Sequence, residues 1–188
     1  YQLTNEHPEI ELNPIPILFG GVLKHHAHKG PAEIPVKRLM TYRFCHWYAA
    51  KNGIPFSFPE AHPFKPVLPL RLCISQGCSA GIIGDIFKEI WENGHDLNNP
   101  THLQPFCTDR GIHNVQETVS RQEVKDQLRR NTDTAADAGV FGVPTIAVQG
   151  ELFWGVDMLE LALEYLADPQ MFKSGGYERL DSLPNTLR

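Results

Sequence analysis

The sequence predicts an α/β chain in which a small sheet carries a large all-helical insertion, and three observations support that reading. Near the C-terminus a helix ends at Gly139, the chain crosses a Val143-Pro144 bond, and the run Thr145-Ile146-Ala147-Val148 opens at once. Gln149-Gly150 then closes a tight turn into Glu151-Leu152-Phe153-Trp154, as a hairpin would. Residues 33–138 read as mostly helical, with apolar positions at three- and four-residue spacing and glycine stops. Near the start, Ile10-Glu11-Leu12-Asn13 and Ile15-Pro16-Ile17-Leu18-Phe19 predict an early strand, so the helical block lies between that strand and the late hairpin.

Composition limits the functions available. A chain of 188 residues is long enough to bury a core without staples. The formal charge is −5 and the basic residues are scattered, so nucleic acid is not an expected partner. No apolar run reaches the length needed to span a bilayer, and no membrane association is expected. The four cysteines, Cys45, Cys73, Cys78 and Cys107, form no C-x-x-C pair and read as reduced thiols of a cytoplasmic protein. His25, His26 and His28 lack zinc-site spacing and a close carboxylate or cysteine, so no metal is assigned.

Taken in order, residues 1–7 read as the tail of a helix whose start lies upstream, and the chain opens on tyrosine. Gly20-Gly21 ends the early strand, and residues 22–35, rich in His, Gly and Pro, read as loop. Val36, Leu39, Met40, Phe44, Trp47 and Tyr48 then recur at helical spacing up to Gly53, which stops the helix. Phe56, Phe58, Pro59, Pro63, Phe64 and Pro66 make an extended aromatic segment, with another helix from about Pro66. Ser79 to Trp91 is amphipathic through Ile82, Ile83, Ile86, Phe87, Ile90 and Trp91. Asn99-Pro100 starts the next helix, Asn114 can cap another, and a longer one through Val124, Leu128 and Ala135 leads back to Gly139. The last helix runs from about Asp157 to Ala167 with Met158, Leu159, Leu161, Leu163 and Leu166 as its buried set, and the polar tail is expected to be extended or partly disordered.

The Val143-Pro144 segment is where chemistry is expected. Most X-Pro bonds are trans, and a trans proline ending a loop is the plain reading. The glycines at 139 and 142 permit sharp turning, and a proline at a strand entry frees the neighbouring backbone from the ladder, leaving it available to a ligand. Helix, glycine, Val-Pro, strand, turn, strand and helix resemble the C-terminal half of a thioredoxin-like domain. In that superfamily the proline is cis and the preceding residue offers its main chain to an extended thiol peptide.

Further stretches narrow the resemblance. Pro16-Ile17-Leu18-Phe19-Gly20, Lys29-Gly30-Pro31-Ala32-Glu33-Ile34-Pro35 with Lys37-Arg38, His62-Pro63-Phe64, Arg71-Leu72, Gly139 to Thr145, and Phe153-Trp154-Gly155 with Asp157 resemble the 2-hydroxychromene-2-carboxylate isomerase family. That family is related to kappa-class glutathione transferases and to DsbA-like oxidoreductases. The resemblance implies a thioredoxin-like part at residues 1–32 and 139–168, a helical insertion at 33–138 and a tail at 169–188. It also implies glutathione as cofactor, an aromatic small-molecule substrate and a homodimer. Activity would be a cis-trans, ring-opening isomerisation by reversible thiolate addition.

The resemblance implies residue roles as well. Val143 would pair with the cysteinyl backbone of glutathione, Pro144 would hold that geometry, and Asp157 would accept the γ-glutamyl ammonium with the Val156 amide near the carboxylate. Asp157 followed by Glu160 reads equally as a plain helix cap. Lys37 would reach the glycyl carboxylate, although on composition alone it is an exposed helix lysine. His28 and Trp154 are candidate substrate-pocket residues, with His28 and Lys65 standing where relatives carry asparagine. The serine that activates the thiol in this family is expected upstream of Tyr1, with the first strand and the start of the first helix, so no catalytic residue is assigned within the chain. A kappa-like transferase or peroxidase is the alternative, as is a thiol-disulfide oxidoreductase if a C-x-x-C precedes Tyr1, or a glutathione-binding protein without turnover.

Overall fold

The computed structural model describes residue 3 and residues 6–184, the side chain of residue 181 excepted. Two compact units divide it, residues 1–137 and residues 138–188.

The first unit is helical. Its elements are α1 (Phe19–His25), α2 (Pro35–Lys51), α3 (Val67–Ser75), α4 (Ala80–Trp91), α5 (Pro100–Thr108), α6 (Val115–Ser120) and α7 (Gln122–Asp137). Of the predicted helix tail at residues 1–7, residues 1, 2, 4 and 5 lie outside the described residues; the His7 N–H donates to the Leu3 C=O at 2.8 Å, a helical spacing. Most of the later boundaries follow the sequence signals. Ser79 caps α4, its hydroxyl accepting from the Ile82 N–H, and Ile82, Ile86 and Ile90 are buried on one face. Asn99 caps α5 by accepting from the Thr101 N–H, with Pro100 in the first position. Asn114 stands at the start of α6 in the left-handed region, φ 52°, and its side chain makes no capping bond.

Three expectations are corrected. The predicted strand at residues 10–19 does not form: the segment has no ladder, and a helix begins at Phe19. Pro14 and Pro16 remove two donors that a strand would need. The chain is tied instead to α7, where the Leu18 N–H donates to Thr132 Oγ1 at 2.9 Å and Asn131 Nδ2 donates to the Pro16 C=O at 3.0 Å. Residues 22–25, expected as loop, are therefore helical, and Gly20-Gly21 lies inside α1 rather than ending a strand. A β-carbon at Gly21 would meet the Thr132 methyl at 2.8 Å, so the glycine is what lets α1 and α7 approach. Its neighbour Val22 is fully buried.

The main core of this unit comprises Leu72, Cys73, Ile82, Ile86, Ile90, Leu97, Leu103, Phe106, Cys107, Val115 and Val119. α2 stands apart from it. The periodicity of Val36, Leu39, Met40, Phe44, Trp47 and Tyr48 predicts the helix correctly, but all six are exposed, and Ala49 is the helix's buried residue.

The second unit is an antiparallel hairpin with one helix. β1 (Thr145–Val148) pairs with β2 (Glu151–Trp154) in the register Thr145↔Trp154 to Val148↔Glu151. The turn residues Gln149 and Gly150 both have positive φ, 50° and 97°, the geometry that matches the twist of a two-residue hairpin. A short turn Val156–Met158 leads into α8 (Leu159–Ala167). Here the predicted buried set is corrected: Met158 and Leu166 are exposed, whereas Ala162 and Tyr165 are buried with Phe153. The tail causes this change. It winds into the 3-10 turns Met171–Lys173 and Gly175–Ser182 instead of extending, and Phe172 stacks on Tyr165 at 4.9 Å. Met171 and Phe172 thus give α8 a second apolar neighbour, which selects the face carrying Ala162 and Tyr165. Residues 185–188 of that tail lie outside the described residues.

Candidate functional site

The hairpin register brings the predicted residues of the second unit to one end. Thr145 faces Trp154, and the pairing is extended by one step, since the Gly155 N–H donates to the Pro144 C=O at 2.9 Å. Val143 therefore stands level with the turn that holds Val156 and Asp157. The Val143-Pro144 bond is cis, the geometry the resemblance implies. The Thr145 hydroxyl donates to the Gly142 C=O at 2.8 Å and so braces the bend from inside. The sequence reading missed this brace; a hydroxyl residue directly after the proline is its signal.

Val143 itself is exposed, and among the described residues nothing accepts from its N–H or donates to its C=O. A backbone amide and carbonyl left free side by side form a one-residue strand edge that can take an extended peptide. Trp154 borders it. The indole covers Gly142, where any β-carbon would overlap Trp154 Nε1, and it lies 5.1 Å from the Phe141 ring centre. Half of Trp154 remains exposed, so this ring is a wall with a free side rather than simple core.

Asp157 is exposed within the Val156–Met158 turn and makes no capping bond, so the plain cap reading does not describe it. Its carboxylate instead lies over Gly155, whose φ of 100° and lack of a β-carbon leave room for the contact. A carboxylate with no ion-pair partner among the described residues, at the same end as a free peptide group, can accept an ammonium.

Lys37 and His28 belong to the first unit. Lys37 is exposed in the first turn of α2, and His28 is exposed in the turn after α1. Between them the loop motif has a clear structural job. The Gly30 N–H donates to Glu33 Oε1 at 2.7 Å, Pro31–Glu33 forms a 3-10 turn, and Pro35 opens α2. His62-Pro63, the second cis bond, is held by Tyr42, whose hydroxyl lies 2.7 Å from both His62 Nδ1 and the His62 C=O. Burial, and then the charge of Arg38, hold the His62 imidazole below its ordinary 6.5, so it is a neutral hydrogen-bonding group near pH 7.

An open hollow of about 430 Å³ in the first unit is lined by Gln104, Thr108, Ile112, His113, Asn114 and Val115 among others, and holds none of the predicted residues. Its walls are mostly polar and offer no apolar seat for an aromatic compound. Among the described residues no helix is long and apolar enough to cross a membrane, and no group of three or more His, Cys, Asp or Glu side chains could hold a metal.

Glutathione S-transferase kappa 2 of Caenorhabditis elegans is 25% identical over 192 aligned positions, covering 90% of this chain and 85% of the relative. The 2-hydroxychromene-2-carboxylate isomerase of Sphingobium xenophagum is 25% identical over 154 positions and 74% of each chain. A solved 2-hydroxychromene-2-carboxylate isomerase structure superposes with a TM-score of 0.74 at 19% identity, covering 93% of this chain and 89% of that one, which establishes the shared fold. Residues 2–167 match the DSBA-like thioredoxin domain, and the chain belongs to that family.

Proposed function

We propose that this chain is a glutathione-dependent isomerase acting on 2-hydroxychromene-2-carboxylate or a related product of aromatic breakdown. The observation that carries the reading is the exposed peptide group of Val143 at the cis-proline end of the hairpin, level with the carboxylate of Asp157, both without partners among the described residues. These groups fit the tripeptide's chemistry. The Val143 N–H donates to, and its C=O accepts from, the cysteinyl backbone; Pro144 fixes the direction of both; Asp157 takes the γ-glutamyl ammonium, and the Val156 N–H faces its carboxylate. Glutathione, when bound, supplies a thiolate that adds reversibly to a conjugated carbon and so allows rotation about that bond. Trp154 offers a flat apolar surface for an aromatic substrate. On the resemblance alone, Lys37 is proposed for the glycyl carboxylate and His28 for the substrate.

The Sphingobium xenophagum isomerase and the Caenorhabditis elegans kappa-class transferase match at the same 25% identity, so a kappa-like transferase or peroxidase is the second reading. Assay of the protein on 2-hydroxychromene-2-carboxylate, with and without glutathione, separates the two. Glutathione-dependent conversion to the open trans isomer is expected. Turnover of hydroperoxides or aryl halides without isomerisation would favour the second reading, and activity indifferent to glutathione would remove both. We further propose a cytoplasmic homodimer, to be seen in sedimentation equilibrium as twice the 21.2 kDa chain mass.

A further inference from the structure

Two of the four cysteines are joined by the end of α3. The helix stops at Ser75 and the chain reverses through Gly77, φ 73°, and Cys78, φ 52°. In that turn the Cys78 N–H donates to the Cys73 C=O at 3.0 Å and the Gly77 N–H to the Ile74 C=O at 3.1 Å. This is the six-to-one, five-to-two pairing of a Schellman ending, with glycine in the left-handed position. Its consequence is that residues five apart in sequence are adjacent in space, so the two cysteine side chains leave neighbouring points of the backbone. A disulfide needs Cα atoms about 4.4–6.8 Å apart, which a direct backbone hydrogen bond between the same two residues supports. Their access differs. Cys73 is 6% exposed within the core beside Leu72 and Ile82, while Cys78 is half-buried and packs on that core from outside.

We propose that Cys73 and Cys78 form a dithiol site that reduces a low-molecular-weight disulfide such as glutathione disulfide while closing into an internal disulfide. The more accessible Cys78, as thiolate, attacks one sulfur of the small disulfide; that S–S bond breaks, and the departing thiolate takes a proton from solvent. Cys73 then gives its proton to solvent and attacks the Cys78 sulfur, expelling the second small thiolate, which is protonated in turn. Two electrons pass from the cysteine pair to the small disulfide, and two small thiols are released. Burial first, and then the neighbouring Cys78 thiol, push the Cys73 thiol up to about 12. The second step is therefore the slow one, and its rate rises about tenfold per pH unit with the thiolate fraction. The site is independent of Val143 and Asp157, so its failure and that of the isomerase reading are separate results.

The test uses the whole reduced chain, exposed to glutathione disulfide, alkylated at intervals, cut with trypsin and weighed. Arg71 and Lys88 bound a peptide, Leu72 to Lys88, that contains both cysteines and no other. This peptide is expected to carry one glutathione at Cys78 at first, and then to lose both glutathione and alkylation sites as it becomes lighter by two hydrogens. The second change should run about ten times faster at pH 8 than at pH 7. Cys73→Ala should stop at the Cys78 adduct, and Cys78→Ala should leave the peptide unmodified. The idea is overturned if the unmutated peptide stays fully alkylatable, if glutathione remains on Cys78 at pH 8 without closure, or if Cys78 links to Cys45 or Cys107. The unmutated chain decides the matter alone, whatever the stability of the variants.

Discussion

On the proposed reading Val143 acts through its peptide bond rather than its side chain, and this separates two substitutions. Val143→Ala keeps both backbone groups, so glutathione affinity measured by calorimetry should stay within about twofold. Val143→Pro removes the N–H, and the loss of one such hydrogen bond, about 1 kcal/mol, should weaken binding roughly fivefold. Equal weakening by both would show that the side chain is being read. Asp157 is exposed, so the proposed ion pair with the ligand's ammonium would be worth about 0.2–1 kcal/mol, and Asp157→Asn should raise Kd only up to about fivefold. His62 makes a different prediction, about stability. Because its folded-state value lies below 6.5, the unfolded chain binds more protons as pH falls through 6.5 toward that lowered value, and linkage makes stability fall with it. Above 6.5 both states are neutral and the residue contributes no pH dependence. Denaturant midpoints should therefore fall between pH 7 and 5, and His62→Gln should flatten that slope; an unchanged slope would show that His62 is not the responsible group.

Among the elements, one buried hydroxyl ties the start of α1 to α7. Thr132 is buried, donates to the Leu128 C=O at 2.7 Å and accepts from the Leu18 N–H at 2.9 Å, joining residues 114 apart. Thr132→Val keeps the shape but strands the Leu18 N–H. The cost should be about 1–3 kcal/mol, read as a fall in Tm of several degrees, and Thr132→Ser should recover much of it. No loss in the valine variant would mean that water or a neighbour serves Leu18 equally well. The same contact explains what the sequence could not reveal about this region. α4 was readable because Ser79 and the Ile82, Ile86, Ile90 spacing are local signals, and the hairpin because Gln149-Gly150 is one too. Residues 10–21 look like a strand ended by glycines and residues 22–25 like loop, and only a partner more than a hundred residues away ties the first part down and lets a helix start at Phe19. At the site, Val143, Pro144 and Asp157 were named from the family resemblance, and the hairpin register brings them to one end. The Thr145 brace and the cover of Gly142 by Trp154 depend on side-chain directions that spacing does not encode. The Cys73–Cys78 pair was hidden for a related reason: without a C-x-x-C, its signal is the glycine that ends α3, a turn signal rather than a cysteine motif.

At the scale of the whole molecule, a ligand that binds only the folded chain must raise its melting temperature, whatever the details of contact. A concentration one hundred times Kd stabilises by about 2.7 kcal/mol. For a chain of this length about 2–4 °C accompanies each kcal/mol, so saturating glutathione should raise Tm by about 5–11 °C. The choice of ligand makes this a test of the site. If the Val143 peptide group and Asp157 hold the tripeptide backbone and its ammonium, then S-methylglutathione, which keeps both and lacks the thiol, should stabilise nearly as well as glutathione. Cysteine alone, which has the thiol but neither the γ-glutamyl nor the glycyl arm, should not. A shift that follows the thiol instead of the tripeptide would relocate recognition to the cysteines and leave the free edge at Val143 without a ligand.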